Sequence, residues 1–99
     1  MDRQISKDIY KISFLKLRTL INEWDPYSLI RQGAGEDEFH AETAQILGEI
    51  KRCASPDDAA QLVSRIFSQA FDPKDFPADS CKEVAQKIFF IFKSPSPPH

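Results

Sequence analysis

Four carboxylates and one histidine lie within a seven-residue segment of this chain, and these residues are the best suited to chemistry. The segment runs from Glu36 to Glu42 and reads EDEFHAE. On a helix, Glu38 and Glu42 would be one turn apart and would share a face. Two such carboxylates can hold a divalent cation when further ligands approach, and Asp25 is a conceivable third ligand. One interpretation is therefore a small metal-dependent hydrolase that uses Asp25, Glu38, His40 and Glu42.

Known catalytic motifs are absent from the sequence. It contains no ExxH, HxxxH or calcium-loop pattern for a metal, and no GxSxG, P-loop or GxGxxG pattern. A nucleophilic site also needs a base that a third group orients. The two histidines are His40 and His99, and the second lies in the tail. We therefore expect a protein without enzymatic activity, without a bound metal and without a cofactor.

The acidic segment also has a purely structural explanation. Carboxylates in the first turn of a helix are stabilised by the helix dipole, and Gly35 or Asp37 can cap such a helix. The four carboxylates would then serve the monomer itself. They could do so through the dipole, or by pairing with Lys7 and Lys11 of the preceding helix.

The charge balance argues against nucleic acids and membranes as partners. Thirteen Lys and Arg against fifteen Asp and Glu give a net charge of −2, so the chain has no overall positive field. The first residues lack the apolar region of a secretory signal, and no stretch reaches the roughly 18 apolar residues of a transmembrane helix. We expect a soluble, cytoplasmic protein in which Cys53 and Cys81 are small buried hydrophobic residues, without a disulfide or a zinc site.

A strongly periodic helix precedes the acidic segment. From Ser6 to Trp24, apolar residues recur at spacings of three and four and line one face: Tyr10, Phe14, Leu17, Ile21 and Trp24. Five more apolar residues widen this stripe: Ile5, Ile9, Ile12, Leu15 and Leu20. The wider stripe predicts either a second neighbour or an apolar edge for a partner. The polar side is basic and carries Arg3, Lys7, Lys11 and Arg18. Asp25-Pro26 ends the helix, because proline disfavours helical geometry in the residue before it.

Two further helices follow the glycine-containing loop. A short helical turn over Tyr27–Ile30 precedes the loop, and a second helix is predicted from about Glu36 to Cys53. Ser55-Pro56 combines an N-cap serine with proline at the first helical position, which predicts the start of a third helix. Asp72-Pro73 closes that helix as Asp25-Pro26 closes the first.

The end of the chain is apolar and then rich in proline. A turn that returns Phe76 to the core leads to a fourth helix, which begins between Ala78 and Ser80. The segment Phe89–Phe92 would also suit a short buried strand, but the preceding EVAQKI favours a helix. The fold class is therefore all-α: a compact four-helix single domain over residues 1–93, with a loop or short helical turn between helices 1 and 2. Residues 94–99 form a predicted disordered Pro/Ser tail.

The segment WDPYSL followed by GEDEFHAE resembles a small bacterial family of uncharacterised helical proteins typified by YugE. The matching positions are Trp24, Asp25, Pro26, Leu29, Asp37, Glu38, Phe39 and Glu42. His40 stands where this family's pattern has an acidic residue. The resemblance implies a compact helical domain, and it implies no enzyme chemistry.

Similar small helical chains also occur among the immunity proteins that neutralise secreted bacterial toxins. The chain shares a segregation of charge with such proteins: residues 36–50 carry five acids and no Lys or Arg, whereas residues 1–18 carry five bases and two acids. A localised acidic surface can dock onto a basic toxin and accelerate association. The main hypothesis is therefore a non-enzymatic protein-binding module, in the form of an immunity protein. Its predicted contact residues are Asp25, Tyr27, Glu36, Asp37, Glu38 and Glu42.

Self-association is the third interpretation. Phe89–Phe92 makes the last turns of the fourth helix apolar nearly all round, which exceeds what one core face needs. A homodimer formed through this aromatic end would cover the excess.

Overall fold

The computed structural model describes the backbone of residues 2–93 and the side chains of residues 10–92. Within these ranges the regular structure consists of α-helices and short 3-10 turns, without a strand. The helices are α1 (Asp2–Trp24), α2 (His40–Glu49), α3 (Pro56–Ala70) and α4 (Ala78–Lys93). The 3-10 turns are Pro26–Ser28, Ile50–Arg52 and Pro73–Asp75. The all-α prediction is confirmed, and the FFIF segment is helical. The predicted disorder of residues 94–99 lies outside the described residues.

Consecutive helices pack against each other as antiparallel neighbours. α3 and α4, joined by a short turn, make the most extensive helix contact of the fold. α1 packs against α2 and α4. Trp24, at the end of α1, meets the ring of Phe76 just before α4, with centroids 5.9 Å apart. Tyr10 shares a surface depression with Phe92 near the end of α4. α1 therefore runs antiparallel to α4.

Aromatic rings form the centre of the core. Phe67 of α3 is fully buried, and the rings of Trp24, Phe39 and Phe76 lie 5.0, 5.9 and 5.3 Å from it. Each such side chain buries about 150–250 Å² of surface, so this cluster contributes much of the hydrophobic stabilisation. Thr43 is a buried polar residue of α2, and its hydroxyl donates to the Phe39 carbonyl at 2.7 Å. The hydroxyl therefore enters the core without an unsatisfied donor.

The first helix is longer than predicted, and its predicted core face is only partly covered. α1 begins at Asp2 rather than at Ser6. Leu17 and Ile21 are fully buried, as their positions in the stripe predict. Tyr10 belongs to the same stripe but is 55% exposed, so its prediction as a core residue is wrong. Because α2 and α4 both end beside Tyr10, no helix covers its ring.

The wider apolar stripe of α1 divides between the core and the surface. Leu20 packs against the core, whereas Ile12 is 54% and Leu15 39% exposed. The side chains of Ile5 and Ile9 lie outside the described side chains. α1 contacts two helices, α2 and α4, which agrees with the predicted second neighbour, and the exposed Ile12 and Leu15 agree with the predicted apolar edge. A partner for that edge stays a prediction.

The second helix begins later than predicted. α2 starts at His40, and not near Glu36. Residues 36–39 form a turn, in which the amide of Glu38 donates to the Gly35 carbonyl at 3.1 Å. This turn delivers Phe39 into the core, where it is 1% exposed. The predicted acidic helix start is therefore mainly an acidic turn that precedes the helix.

The boundaries of α3 follow the predicted signals. The hydroxyl of Ser55 accepts the Asp58 amide at 3.1 Å, and the carboxylate of Asp58 accepts the Ala54 amide at 2.9 Å. These two bonds resemble a capping box, except that the Asp58 carboxylate accepts from the residue before the N-cap, and Pro56 stands at the first helical position. After α3, Phe76 returns to the core and is 3% exposed, as predicted.

Both cysteines are buried, which confirms their prediction as small hydrophobic residues. Cys53 follows the turn after α2, where the predicted second helix was expected to reach, and Cys81 lies in the first turns of α4. Burial raises the pKa of the Cys81 thiol to about 11. This thiol therefore stays protonated at neutral pH.

Candidate protein-binding surface

The segment after α1 is shaped by the carboxylate of Asp25. Oδ1 accepts the Ile30 amide at 2.8 Å and Oδ2 accepts the Arg31 amide at 3.1 Å, while the Arg31 guanidinium lies 3.8 Å from Oδ2. These partners offset the cost of burying a charge. Asp25 is among the predicted contact residues, but it is only 4% exposed. It lies beneath the surface and holds the loop that carries its neighbours.

Tyr27 is the exposed aromatic residue of this loop. Its side chain is 43% exposed, yet its ring packs edge-on against Phe71 and Phe76, with both centroids 5.6 Å away. Its hydroxyl donates to Oδ2 of Asp75 at 2.5 Å. This hydrogen bond to Asp75, with a smaller effect from desolvation, raises the pKa of Tyr27. The ring therefore has one fixed orientation at the surface.

The backbone around Tyr27 adopts left-handed geometry. Asp25, Tyr27 and Ser28 have φ values of 48°, 63° and 56°. Residues other than glycine in this region cost about 1–3 kcal/mol each. The Asp25 hydrogen bonds and the ring contacts of Tyr27 offset this cost. The sequence predicts a helical turn here, and the 3-10 turn at Pro26–Ser28 is its strained equivalent.

Two of the predicted contact residues pair with α1. The guanidinium of Arg18 lies 3.5 Å from the Glu36 carboxylate and 3.4 Å from that of Asp37. The side-chain amide of Asn22 donates to the Glu36 carbonyl at 3.1 Å. Glu36 and Asp37 therefore fix the turn onto α1 through Arg18. Of the two predicted partners, Lys11 forms no ion pair with them, and the side chain of Lys7 lies outside the described ones. Both carboxylates remain exposed and open to a partner.

The other two predicted carboxylates point away from α1. Glu38 is exposed in the turn, and Glu42 lies in the first turn of α2, so the two do not share a helical face as predicted. Glu42 is on the same face of α2 as Glu49, seven residues further on. Because Glu49 binds Arg65 of α3 at 2.7 Å, Glu42 lies on the flank towards α3.

Ring contacts bring two further carboxylates to this end of the molecule. Phe39, next to Glu38, lies 6.2 Å from Phe71, which lies 5.6 Å from Tyr27. Asp72 follows Phe71, and Asp75 binds Tyr27. We call this surface the acidic end, and we define it by Tyr27, Glu38, Glu42, Asp72 and Asp75. The sequence around Asp72 predicts only the end of a helix. It contains no signal that Asp72 approaches the loop of Tyr27, which lies 45 residues earlier in the chain.

The residues of the hydrolase interpretation do not converge. Asp25 is committed to two backbone amides, and the imidazole of His40 packs on Phe14, with centroids 5.0 Å apart. Phe14 belongs to α1, so His40 lies on the opposite flank of α2 from Glu42. Among the described residues, no group of three or more His, Cys, Asp or Glu is placed to hold a metal ion. The geometry gives no site at which these side chains could act together.

Over the described residues, no helix is both long enough and apolar enough to cross a membrane.

Comparisons with known proteins identify the family to which this chain belongs. A family model described as "Domain of unknown function (DUF1871)" matches residues 16–97. The chain is also 30% identical over 77 residues to "Uncharacterized protein YugE" from Bacillus subtilis (strain 168). The matched residues make up 78% of this chain and 83% of that protein. No solved structure matches the chain. The chain therefore belongs to the DUF1871 family, with YugE as a relative.

Proposed function

We propose that this chain is a non-enzymatic protein-binding module that docks a basic protein partner on its acidic end. The observation that carries the proposal is the placement of Tyr27. Its ring is 43% exposed and is fixed by Phe71, Phe76 and Asp75 amid carboxylates. A solvent-exposed aromatic residue held in one orientation is typical of a binding hot spot.

The fixed ring supports binding for an entropic reason. An exposed side chain that is ordered only on binding costs about 0.5–1.5 kcal/mol. The contacts of Tyr27 remove most of that cost before a partner arrives. Left-handed geometry at Asp25, Tyr27 and Ser28 keeps the ring at the surface, and strain of this kind clusters at functional sites.

The charges around Tyr27 support a basic partner. Asp75 binds the Tyr27 hydroxyl, and Asp72 lies near enough to influence the pKa of Tyr27. Glu38 and Glu42 lie further away at the same end of the molecule, and Lys74 is the base within the adjoining turn. An excess of carboxylates on one surface attracts a basic surface and raises the association rate. Nearby rim charges contribute more to the rate and the choice of partner than to the final affinity.

We further propose that the partner is a basic secreted toxin, and that the chain acts as an immunity protein in the cytoplasm. Nucleases that degrade nucleic acids present basic active sites, which an acidic module can cover. Two buried cysteines that form no disulfide suit a reducing compartment. Neither nucleic acid nor a membrane is part of this proposal.

Matched charge reversals test the proposed surface. Glu38→Lys and Glu42→Lys each reverse one carboxylate of the acidic end. Asp57→Lys makes the same change in charge at the start of α3, at the opposite end of that helix from Phe71. Each tagged protein is used to capture partners from the cells that make it, and the captured proteins are quantified against wild type. Thermal melting establishes that each variant is folded.

We expect one protein to be captured stoichiometrically by wild type and by Asp57→Lys, and to be lost with both glutamate variants. Tyr27→Ala should lower its capture further, by about tenfold or more, as expected for a hot-spot residue. If both glutamate variants retain the partner, the acidic end is not the contact surface. The toxin proposal requires in addition that the captured protein stop growth when expressed alone, and that co-expressed wild-type chain restore growth.

A further inference from the structure

A second surface, on the other flank of α2, has the opposite chemistry. α1 and α2 leave a groove between them that consists of two depressions, of about 350 Å³ and 530 Å³. Tyr10 lines both depressions, so they are neighbours along α1. The first also contains Phe14, Leu15 and His40, and the second contains Leu47. We call the two depressions together the α1–α2 groove.

The groove is apolar because the bundle ends beside it. Tyr10 lies on the stripe of α1 that faces the core, but the neighbouring helices stop at its level and leave it 55% exposed. Leu15 is 39% exposed at the other rim. Exposed aromatic and aliphatic side chains that line one continuous depression mark an interaction site more strongly than scattered ones do.

The charges of the groove are positive. Among the described side chains, the two depressions are lined by the bases Lys11 and Lys51 and by no Asp or Glu. Residues 9–22 of α1 contain three bases and no acid, although the chain as a whole carries a net charge of −2. The groove therefore complements an acidic ligand, whereas the acidic end complements a basic one.

The length of the groove fits a helix. His40 at the start of α2 and Lys51 in the 3-10 turn after it mark its two ends, eleven residues apart in sequence. At 1.5 Å per residue this corresponds to about 16 Å, or about three helical turns. A helical partner segment would place apolar residues at i, i+3, i+4 and i+7 against the rings, and acidic residues along its flanks.

We propose that the α1–α2 groove binds an acidic amphipathic helix of a partner protein. The apolar edge of that helix lies against Tyr10, Phe14 and Leu47, and its carboxylates approach Lys11. This inference goes beyond the proposed function, because it concerns a different surface and a ligand of opposite charge. The two surfaces lie on opposite flanks of α2, so the chain can hold two partners at once.

Gly48 provides a variant that blocks the groove and keeps the fold. It lines the larger depression, and a Cβ atom added there would meet no atom within 4 Å. Gly48→Leu therefore places a side chain into the groove from a position where its Cβ meets no neighbour. The change also removes a glycine from the last turn of α2, which favours the helix. A thermal melt equal to that of wild type shows that any loss of binding in this variant does not come from unfolding.

The experiment measures the binding of a labelled synthetic peptide by fluorescence anisotropy. The probe is a 14-residue helix-forming peptide with Leu at positions i, i+3, i+4 and i+7 and Glu at its flanks. A second peptide carries Lys in place of every Glu. The proteins are wild type, Gly48→Leu, Lys11→Glu, and the matched control Lys82→Glu on the exposed face of α4. Glu38→Lys serves as a further control from the acidic end.

We expect wild type to bind the acidic peptide at least about tenfold more tightly than the basic one, since opposite charges line the groove. Gly48→Leu and Lys11→Glu should each weaken this binding by about fivefold or more, and Lys82→Glu and Glu38→Lys should leave it unchanged. Equal binding of the two peptides, or an unaltered affinity in Gly48→Leu, would overturn the proposal. If the acidic end proves not to bind a partner, the peptide results for the groove still stand. The two proposals can therefore be refuted independently.

Two other occupants give distinct results. If a second copy of the chain fills the groove, sedimentation will show a dimer that Gly48→Leu converts to a monomer. If the groove is a membrane-binding surface, vesicles containing phosphatidylserine will bind wild type and not Lys11→Glu. Either result, without preferential binding of the acidic peptide, overturns the assignment of the groove to a protein helix.

Discussion

Asp25 and Tyr27 are two residues apart, and together they determine the shape of the loop after α1 and the position of its exposed ring. The carboxylate of Asp25 turns inward and collects the amides of Ile30 and Arg31. The ring of Tyr27 turns outward onto Phe71 and Phe76. The buried charge closes the loop, and the closed loop sets the position of the exposed ring.

The role of Asp25 predicts a large effect of its removal. In Asp25→Ala, two backbone amides lose their shared acceptor inside the protein, and each unsatisfied buried donor costs about 1–3 kcal/mol. We expect the free energy of unfolding to fall by about 2 kcal/mol or more. Asp25→Asn keeps one acceptor oxygen and should lose less. Urea denaturation measures both, and equal stability of Asp25→Ala and wild type would show that the loop does not depend on this carboxylate.

The Tyr27–Asp75 hydrogen bond predicts a change in the titration of the phenol. The bond raises the pKa of Tyr27 above its ordinary value of 10.0. Asp75→Asn removes the negative acceptor, so the pKa of Tyr27 should fall towards 10.0. Ultraviolet absorbance of tyrosinate, recorded against Tyr27→Phe to isolate this residue, follows the titration. An unchanged titration in Asp75→Asn would mean that the two side chains are not bonded in solution.

At the scale of the helices, local signals were sufficient where a side chain acts on its own neighbours. Ser55-Pro56 predicts the start of α3 because the N-cap hydrogen bond of the serine and the backbone restriction of the proline both act within one helical turn. The start of α2 was predicted too early for the converse reason. Arg18 of α1 and the side chain of Asn22 hold residues 36–37 in a turn, and these contacts span 14 to 19 residues of sequence. Propensity alone contains no information about them.

The N-cap of α3 predicts a measurable loss when it is broken. In Ser55→Ala the Asp58 amide loses its acceptor, and the loss of such a cap typically costs about 1 kcal/mol. Ser55→Gly should lower the free energy of unfolding by only about a few tenths of a kcal/mol. The midpoint of urea unfolding, compared between the two variants, gives the difference. A stability of Ser55→Ala equal to wild type would contradict the contribution assigned to this cap.

At the scale of the whole molecule, the sequence predicts the fold class better than the surface. The periodic stripes identify Leu17, Ile21 and Phe67 as core residues, because helical spacing alone decides which side chains share a face. The same spacing assigns Tyr10 to the core wrongly, because it cannot tell where the neighbouring helices end. For the acidic end, the sequence predicts Tyr27, Glu38 and Glu42. Asp72 and Asp75 join them only through the packing of distant aromatic rings.

Burial of Cys81 predicts a loss of stability at alkaline pH. Its pKa is raised from 9.0 to about 11, so the folded state holds its proton more tightly than the unfolded state does. The resulting stability is fully present below pH 9.0 and is lost as the pH rises through about 11. Tyr27, whose pKa is also raised, acts in the same direction. Urea unfolding across this range should show a smaller decline in Cys81→Ala than in wild type, and parallel declines would exclude the thiol as a cause.

The extensive contact between α3 and α4 also bears on the order in which the chain folds. These helices are consecutive, and closing the short segment 71–77 between them costs little chain entropy. α1 reaches α4 only across the whole length of the chain. We therefore expect the α3–α4 hairpin to form first and α1 to dock last. During synthesis, the part of the α1 stripe that packs against α4 stays uncovered until α4 leaves the ribosome, and for that interval it is open to chaperones and to aggregation.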